Sequence, residues 1–171
     1  LHQVKEVERA RISEYAARRR GVTFRKGERP WSIPCDVALP CATQNELDAQ
    51  DAAALVANGC IAVCEGANMP STLDAIAVLQ KAGVSFGPAK AANAGGVATS
   101  GLEMQQNASR ERWTFDQTVS RLVEIMRDIH QTCETTADEF GAPGNLLLGA
   151  NIAGFQRVAD AMLADRKSTR L

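Results

Sequence analysis

The chain lacks the features by which several classes of protein are recognised. None of its apolar runs approaches the ~20 residues that a membrane-spanning helix needs. Its formal net charge is −1, so no excess of charge favours nucleic acid or an acidic membrane as a partner. It contains no G-x-G-x-x-G and no other glycine-rich phosphate loop. What is left is a globular protein of 171 residues, a size that buries about 70% of the unfolded surface in one domain.

The five cysteines do not form a recognisable metal site. Their number is odd, and no pair has zinc-finger spacing with histidines. Cys60 and Cys64 belong to one predicted strand and would share a face, so a metal site or a bridge is conceivable there. Buried thiols in a reducing cytoplasm are the favoured interpretation. We therefore expect no metal, and a cytoplasmic protein.

Short apolar runs alternate with helical patterns in the first half of the chain. Strands are predicted at 36–39, 60–64 and 83–86. Thr43 with Glu46, and Ser71 with Asp74, have the spacing of helix caps and mark the predicted helix starts. This alternation predicts a largely parallel sheet in a three-layer α/β domain.

Helical patterns are also predicted at both ends of the chain. The first covers 4–20 and is followed by at most a short strand at 22–24. Thr114 and Gln117 fit a capping box at the start of a long helix, and a further amphipathic helix is predicted over 151–164. Residues 166–171 show no pattern and are predicted to be a disordered tail.

Three loops are predicted at the ends of the three strands, at 41–45, 66–69 and 90–96. The carboxyl ends of parallel strands share one edge of the sheet, so these loops should converge on one crevice. Their neutral amides and hydroxyls suit a carboxamide and ribose hydroxyls better than a bare phosphate or a metal. These side chains are Thr43, Gln44, Asn45, Asn68 and Asn93. Alternatively, asparagine and glycine occur there because they turn the chain.

Four motifs match one known family in content and in order. They are CATQNEL at 41–47, EGANMPSTLDA at 65–75, KAANAGGVATSGLEMQQNA at 90–108 and GANIAGFQRVADAML at 149–163. Over roughly residues 14–163 the chain closely resembles the hexameric glutamate dehydrogenases, with the NADP-type small-subunit class nearest. The resemblance implies a partial Rossmann-like dinucleotide-binding domain over 1–165 with C-terminal helices, in a homohexamer.

The resemblance also implies a reaction and a cofactor. The reaction is the oxidative deamination of L-glutamate to 2-oxoglutarate and ammonia, with hydride transfer to NADP or, alternatively, NAD. Asn68 looks like the residue that meets the nicotinamide ribose. Cys41 and Ala42 look like the backbone contacts beside the nicotinamide.

The substrate side is assigned by the same resemblance. Asn93 and Val97 are expected to line the junction between cofactor and substrate, and Ser100 to hold the side-chain carboxylate of glutamate. Ser100 and Glu103 also fit a helix capping box, which is the interpretation that the residues alone favour. Lys90 is not expected to be catalytic, because the catalytic lysine of the family lies in an N-terminal domain that this chain does not contain.

We therefore expect the C-terminal part of a longer enzyme, with no catalytic residue of its own and no activity alone. Its start at Leu1 and its lack of a glycine-rich loop motivate this expectation. Two alternatives stay open. The chain could be a non-catalytic nucleotide-binding fragment, or part of a related dehydrogenase that acts on leucine, valine or phenylalanine. Ser100 argues against the latter, since a polar anchor suits glutamate.

Overall fold

The computed structural model describes residues 1–168. It divides into two compact units, Leu1–Pro30 and a second that begins at Trp31. The first unit contains a π-helical turn, Gln3–Val7, and helix α1, Ile12–Arg18. The single helix predicted over 4–20 is therefore wrong, because Arg9 adopts a left-handed φ of 51° that interrupts regular helical hydrogen bonding. Residues 22–24 lie outside regular structure.

The second unit is built on a parallel sheet of three strands in the order β1-β2-β3. The strands are β1, Val37–Ala38; β2, Ala62–Cys64; and β3, Ser85–Gly87. Helix α2, Ala49–Ala57, connects β1 to β2, and helix α3, Leu73–Lys81, connects β2 to β3. The predicted α/β fold with a parallel sheet is confirmed, and the carboxyl ends of all three strands lie at one edge.

The core of this unit lies around the sheet and the paired helices α2 and α3. Leu47, Leu55, Val63 and Leu79 are completely buried in it. Trp31 belongs to the same cluster, and its indole Nε1 donates a hydrogen bond of 3.0 Å to the Glu46 carbonyl. Burial of large apolar side chains of this kind supplies most of the driving force for folding.

The two predicted helix starts in this region are displaced. Helix α2 begins after Asp48, whose side chain accepts from the backbone of Gln50 and Asp51, while Asp51 bonds back to the Asp48 backbone. Helix α3 is capped by Thr72, which accepts from Ala75. Asp is as good as Ser at an N-cap and Thr is only somewhat less favourable, so spacing alone could not choose among neighbouring candidates.

The second half of the chain is helical. It contains α4, Ala89–Ala92; α5, Ala94–Ser109; α6, Phe115–Glu139; and α7, Leu146–Ser168. The capping box of Thr114 and Gln117 at the start of α6 is confirmed. None of the helices within residues 1–168 is long and apolar enough to cross a membrane.

Helix α7 is longer than predicted at both ends. It begins at Leu146, and it continues through residues 166–168, which were predicted to be part of the disordered tail. No glycine or proline follows Gly154 to end it. The rest of that predicted tail, 169–171, lies outside the described residues. Helix α7 packs along α6, with Gly149 at the contact.

Candidate functional site

The loops that follow β1 and β2 are hydrogen-bonded to each other. The Asn45 N–H donates to the Met69 carbonyl, and the Leu47 N–H donates to the Pro70 carbonyl, both at 3.0 Å. Asn45 and Met69 both have left-handed backbone conformations, with φ of 56° and 51°. Such conformations are rare outside glycine and persist where surrounding contacts hold them. The two loops therefore form one ordered wall at the sheet edge.

The segment after β3 is helical, so the loop predicted at 90–96 is wrong. Its alanines favour helix and form α4, and the first turn of α5 is helical although Gly95 and Gly96 are poor helix formers. Asn93 separates these two helices, and its side-chain Nδ2 donates a hydrogen bond of 3.1 Å to the Ala67 carbonyl. This bond ties the start of α5 to the loop after β2.

These three segments enclose a cleft of about 720 Å³ at the predicted edge of the sheet. This volume lies within the range of pockets that bind small molecules and cofactors. The polar residues of its lining are Asn45, Glu65, Asn68, Ser71, Thr72, Asp74, Lys90 and Asn93. Of the five side chains expected to converge there, the structure therefore brings together Asn45, Asn68 and Asn93, while Thr43 and Gln44 lie outside the described lining.

Cys41 and Ala42 lie on the first loop, outside the described lining of this cleft. The backbone N–H groups of Ala42 and Thr43 donate to Glu46 Oε1 at 2.7 and 3.2 Å. Thr43 and Glu46 therefore shape a loop, and the helix cap predicted for them is wrong. Since the Ala42 N–H is already bonded, its carbonyl is the backbone group left to contact a ligand.

Close packing at the strand ends explains two glycines. A Cβ on Gly66 would lie 2.5 Å from Cys41 Sγ, and a Cβ on Gly87 would lie 2.8 Å from Cys64 Sγ. Real Cβ atoms essentially never come so near. Because Gly66 and Gly87 have no Cβ, the thiols of Cys41 and Cys64 can occupy this space, and the strand ends can pack close together.

Helix α5 places the predicted substrate residues on one face. Asn93, Val97 and Ser100 follow the i, i+4, i+7 spacing of a helical surface. Val97 is 78% exposed, which is high for an apolar side chain. Ser100 lies inside the helix, where its hydroxyl donates to the Gly96 carbonyl at 3.4 Å, so the capping role considered for it with Glu103 is wrong. Neither Val97 nor Ser100 belongs to the described lining of the cleft.

The cysteines are all free thiols in the structure. Cys60 precedes β2, so it does not share a strand with Cys64 as predicted. Burial raises the pKa of the Cys64 thiol, and the neighbouring Cys41 and Glu65 raise it further. Within residues 1–168, no cluster of three or more histidine, cysteine or acidic side chains is arranged to hold a metal ion.

Two polar contacts of the cleft were missed in the sequence. Glu65 is buried directly after β2 and bonds to the backbone of two later segments. Lys90 Nζ donates to Asn151 Oδ1, which connects α4 to α7. An acidic residue directly after a buried strand is unusual enough to have marked Glu65. Nothing in the sequence pattern indicates the pairing of Lys90 with Asn151.

The fold and the cleft define an α/β domain of the nucleotide-binding type, in which ligands bind beyond the carboxyl ends of parallel strands. The sequence profile of the Glutamate/Leucine/Phenylalanine/Valine dehydrogenases matches residues 1–166. The chain belongs to this family.

Individual relatives agree with this assignment. The chain is 54% identical over 164 residues to the NADP-specific glutamate dehydrogenase of Escherichia coli, and 48% identical over 171 residues to that of Helicobacter pylori. These matches cover 96% of the chain but 36% and 38% of the two relatives. Among solved structures, Plasmodium falciparum glutamate dehydrogenase superimposes with a TM-score of 0.92 at 45% identity, covering 95% of this chain and 35% of that one. The chain thus spans about a third of the length of these relatives.

Proposed function

We propose that residues 1–165 are the cofactor-positioning, C-terminal part of an NADP-dependent glutamate dehydrogenase. The observation that carries the proposal is the convergence of Asn45, Asn68 and Asn93 on one cleft at the carboxyl edge of a parallel sheet. The names of the relatives supply the reaction, which is the oxidative deamination of L-glutamate to 2-oxoglutarate and ammonia. The bound nicotinamide would accept the hydride.

Neutral amides suit the nicotinamide half of such a cofactor. In this proposal Asn68 bonds to the nicotinamide ribose, and the backbone of Cys41 and the carbonyl of Ala42 lie beside the carboxamide. Asn93 is held by its bond to the Ala67 carbonyl, so its Oδ1 stays available to a ligand. Each such hydrogen bond contributes only about 1 kcal/mol net. The cleft therefore orients the ring more than it supplies affinity.

On the substrate side, Val97 packs against the junction of cofactor and glutamate, and Ser100 donates to the glutamate side-chain carboxylate. Both side chains are exposed on α5. Their exposure supports a substrate site that another part of the protein completes. The proposed assembly is a homohexamer in the cytoplasm. The five free thiols support a reducing compartment.

The phosphorylated cofactor is favoured over NAD by the names of the relatives.

The decisive experiment is a chimera. Residues 1–165 replace the matching third of the E. coli NADP-specific glutamate dehydrogenase, and the formation of reduced cofactor is followed with glutamate and NADP. We expect glutamate-dependent activity that is weaker with NAD. A folded, assembled chimera without activity, beside an active E. coli control prepared in parallel, would refute the proposal.

The same chimera separates the two alternatives. Activity with leucine, valine or phenylalanine in place of glutamate would assign the chain to a dehydrogenase of another substrate. Binding of NADP by the chain without turnover in the chimera would leave a nucleotide-binding module. The chain contains no G-x-G-x-x-G sequence, so the pyrophosphate would lack its usual helix N-terminus and the chain by itself should bind whole NADP weakly.

A further inference from the structure

Glu65 is a buried carboxylate at the centre of the cleft wall, and the chemistry described above does not use it. It follows β2 directly and is 3% exposed. Its Oε1 accepts from the Ser71 N–H at 3.1 Å, and its Oε2 accepts from the Ala89 N–H at 2.7 Å. Both partners are backbone amides, so the carboxylate acts as a rigid two-point connection between separate segments of the chain.

The two connected segments carry the proposed cofactor ligands. Ser71 ends the loop that contains Asn68. Ala89 begins α4, and Asn93 directly follows the end of this helix. The Glu65 N–H itself donates to the Gly87 carbonyl at 3.0 Å, which fixes the residue between β2 and β3. One side chain therefore sets the distance between the Asn68 loop and the Asn93 helix junction.

The strength of this connection follows from its chemistry. Hydrogen bonds to an ionised carboxylate are shorter and roughly twice as strong as those between neutral groups. Both bonds of Glu65 are shielded from water, where an unsatisfied partner is costly. We propose that Glu65 is a positioning residue that holds the Asn68 loop and the Asn93 junction in the arrangement that binds the cofactor. This inference rests on the proposed function.

The variant Glu65→Gln tests the idea because it keeps the size of the side chain. The amide replaces one carboxylate oxygen by an NH₂ donor group, so one of the two backbone N–H groups faces a donor instead of an acceptor. If the binding arrangement falls to about a tenth of the population, the apparent Kd for the cofactor rises about tenfold. Glu65→Ala loses both bonds and is the second variant.

The control is Leu55→Val, which weakens the buried core at α2 and lies outside both loops in the chain. All variants are compared at a temperature where each is folded by circular dichroism. NADP is titrated into the labelled chain and followed by amide NMR signals. We expect the Kd to rise about tenfold in Glu65→Gln and to be unchanged in Leu55→Val. Equal affinity in Glu65→Gln and the parent chain would overturn the inference.

A second readout does not need the ligand. Hydrogen exchange at the Ser71 and Ala89 amides should be faster in Glu65→Gln, and the signals of Asn68 and Asn93 should shift, while Leu55→Val shows neither change. If the parent chain does not bind NADP, the proposed function fails for the chain alone. Hydrogen exchange at Ser71 and Ala89 and the signals of Asn68 and Asn93 then still test whether Glu65 is a positioning residue. Unchanged exchange and unchanged Asn68 and Asn93 signals would refute it.

Discussion

Gly149 lies where α7 crosses α6, and its replacement by alanine should be strongly destabilising. A Cβ built on Gly149 lies 1.9 Å from the Cys133 carbonyl oxygen, 2.8 Å from the Cys133 carbonyl carbon and 3.2 Å from Ala137 Cβ. The first two atoms belong to the backbone of α6, so no side-chain rotation can relieve the clash. The two helices would have to separate locally by roughly 1 Å, which is large for a close-packed interior.

Overpacking of this kind costs about 1–3 kcal/mol, and a clash with rigid backbone lies at the upper end. Alanine recovers about 0.5–1 kcal/mol of helix propensity. We therefore expect Gly149→Ala to lower the free energy of unfolding by about 2 kcal/mol. The loss should extend to the cleft, because Asn151 on the same helix bonds to Lys90.

Gly154 provides a matched control in the same helix. A Cβ there would meet nothing within 4 Å, so Gly154→Ala should stabilise the chain by about 0.5–1 kcal/mol. Urea unfolding followed by circular dichroism measures both variants, and an unchanged slope with denaturant shows that the unfolded state is comparable. Two effects of the same sign, or a Gly149→Ala variant as stable as the parent, would refute the reasoning.

Four further predictions concern the site and the thiols. In the chimera, Asn68→Ala should raise the KM for NADP about fivefold, since one hydrogen bond is lost, and an unchanged KM would remove Asn68 from the cofactor site. Ser100→Ala should raise the KM for glutamate about tenfold or more, because a bond to a charged carboxylate contributes about 1.5–3 kcal/mol; an equal rise for NADP would instead indicate a general defect. Exposed Cys41 should react with an aromatic disulfide reagent well before Cys64 and Cys133, whose pKa values are raised by burial. The pKa of the Cys64 thiol is raised in the folded chain, so this thiol ionises first in the unfolded chain as the pH rises. Its contribution to the free energy of unfolding is therefore complete below about pH 8.5 and declines above it. The variant Cys64→Ala should show a smaller loss of unfolding free energy at alkaline pH than the parent.

The sequence predicted the regular elements best where periodicity and caps were unambiguous. The capping box of Thr114 and Gln117 marks the start of α6 as predicted, because both of its bonds are local. The start of α2 was misplaced because Thr43 and Glu46 have the spacing of a cap, but Glu46 instead bonds to the backbone of Ala42 and Thr43 within a loop. Cap spacing identifies candidates, and the path of the chain selects among them.

The region after β3 shows the same limit. Its alanines and glycines allow either a loop or a helix, and packing decided for helix. In the structure a Cβ on Gly95 would lie 3.5 Å from Met126 Sδ on α6, whereas a Cβ on Gly96 would meet nothing within 4 Å. The predicted roles of Asn93, Val97 and Ser100 stay predictions, now placed on one helical face.

By itself the sequence determined the fold class and the family, and it predicted the edge of the sheet at which a ligand would bind. These follow from local patterns, since strand–helix alternation forces parallel pairing and parallel strands share one carboxyl edge. Only the tertiary structure decided which polar atoms have a hydrogen-bond partner within the chain and which stay available to a ligand. Contacts between segments far apart in the chain involve Glu65, Gly149 and the pair of Lys90 and Asn151. The role of a buried charge or of a glycine at a contact depends on the atoms packed around it.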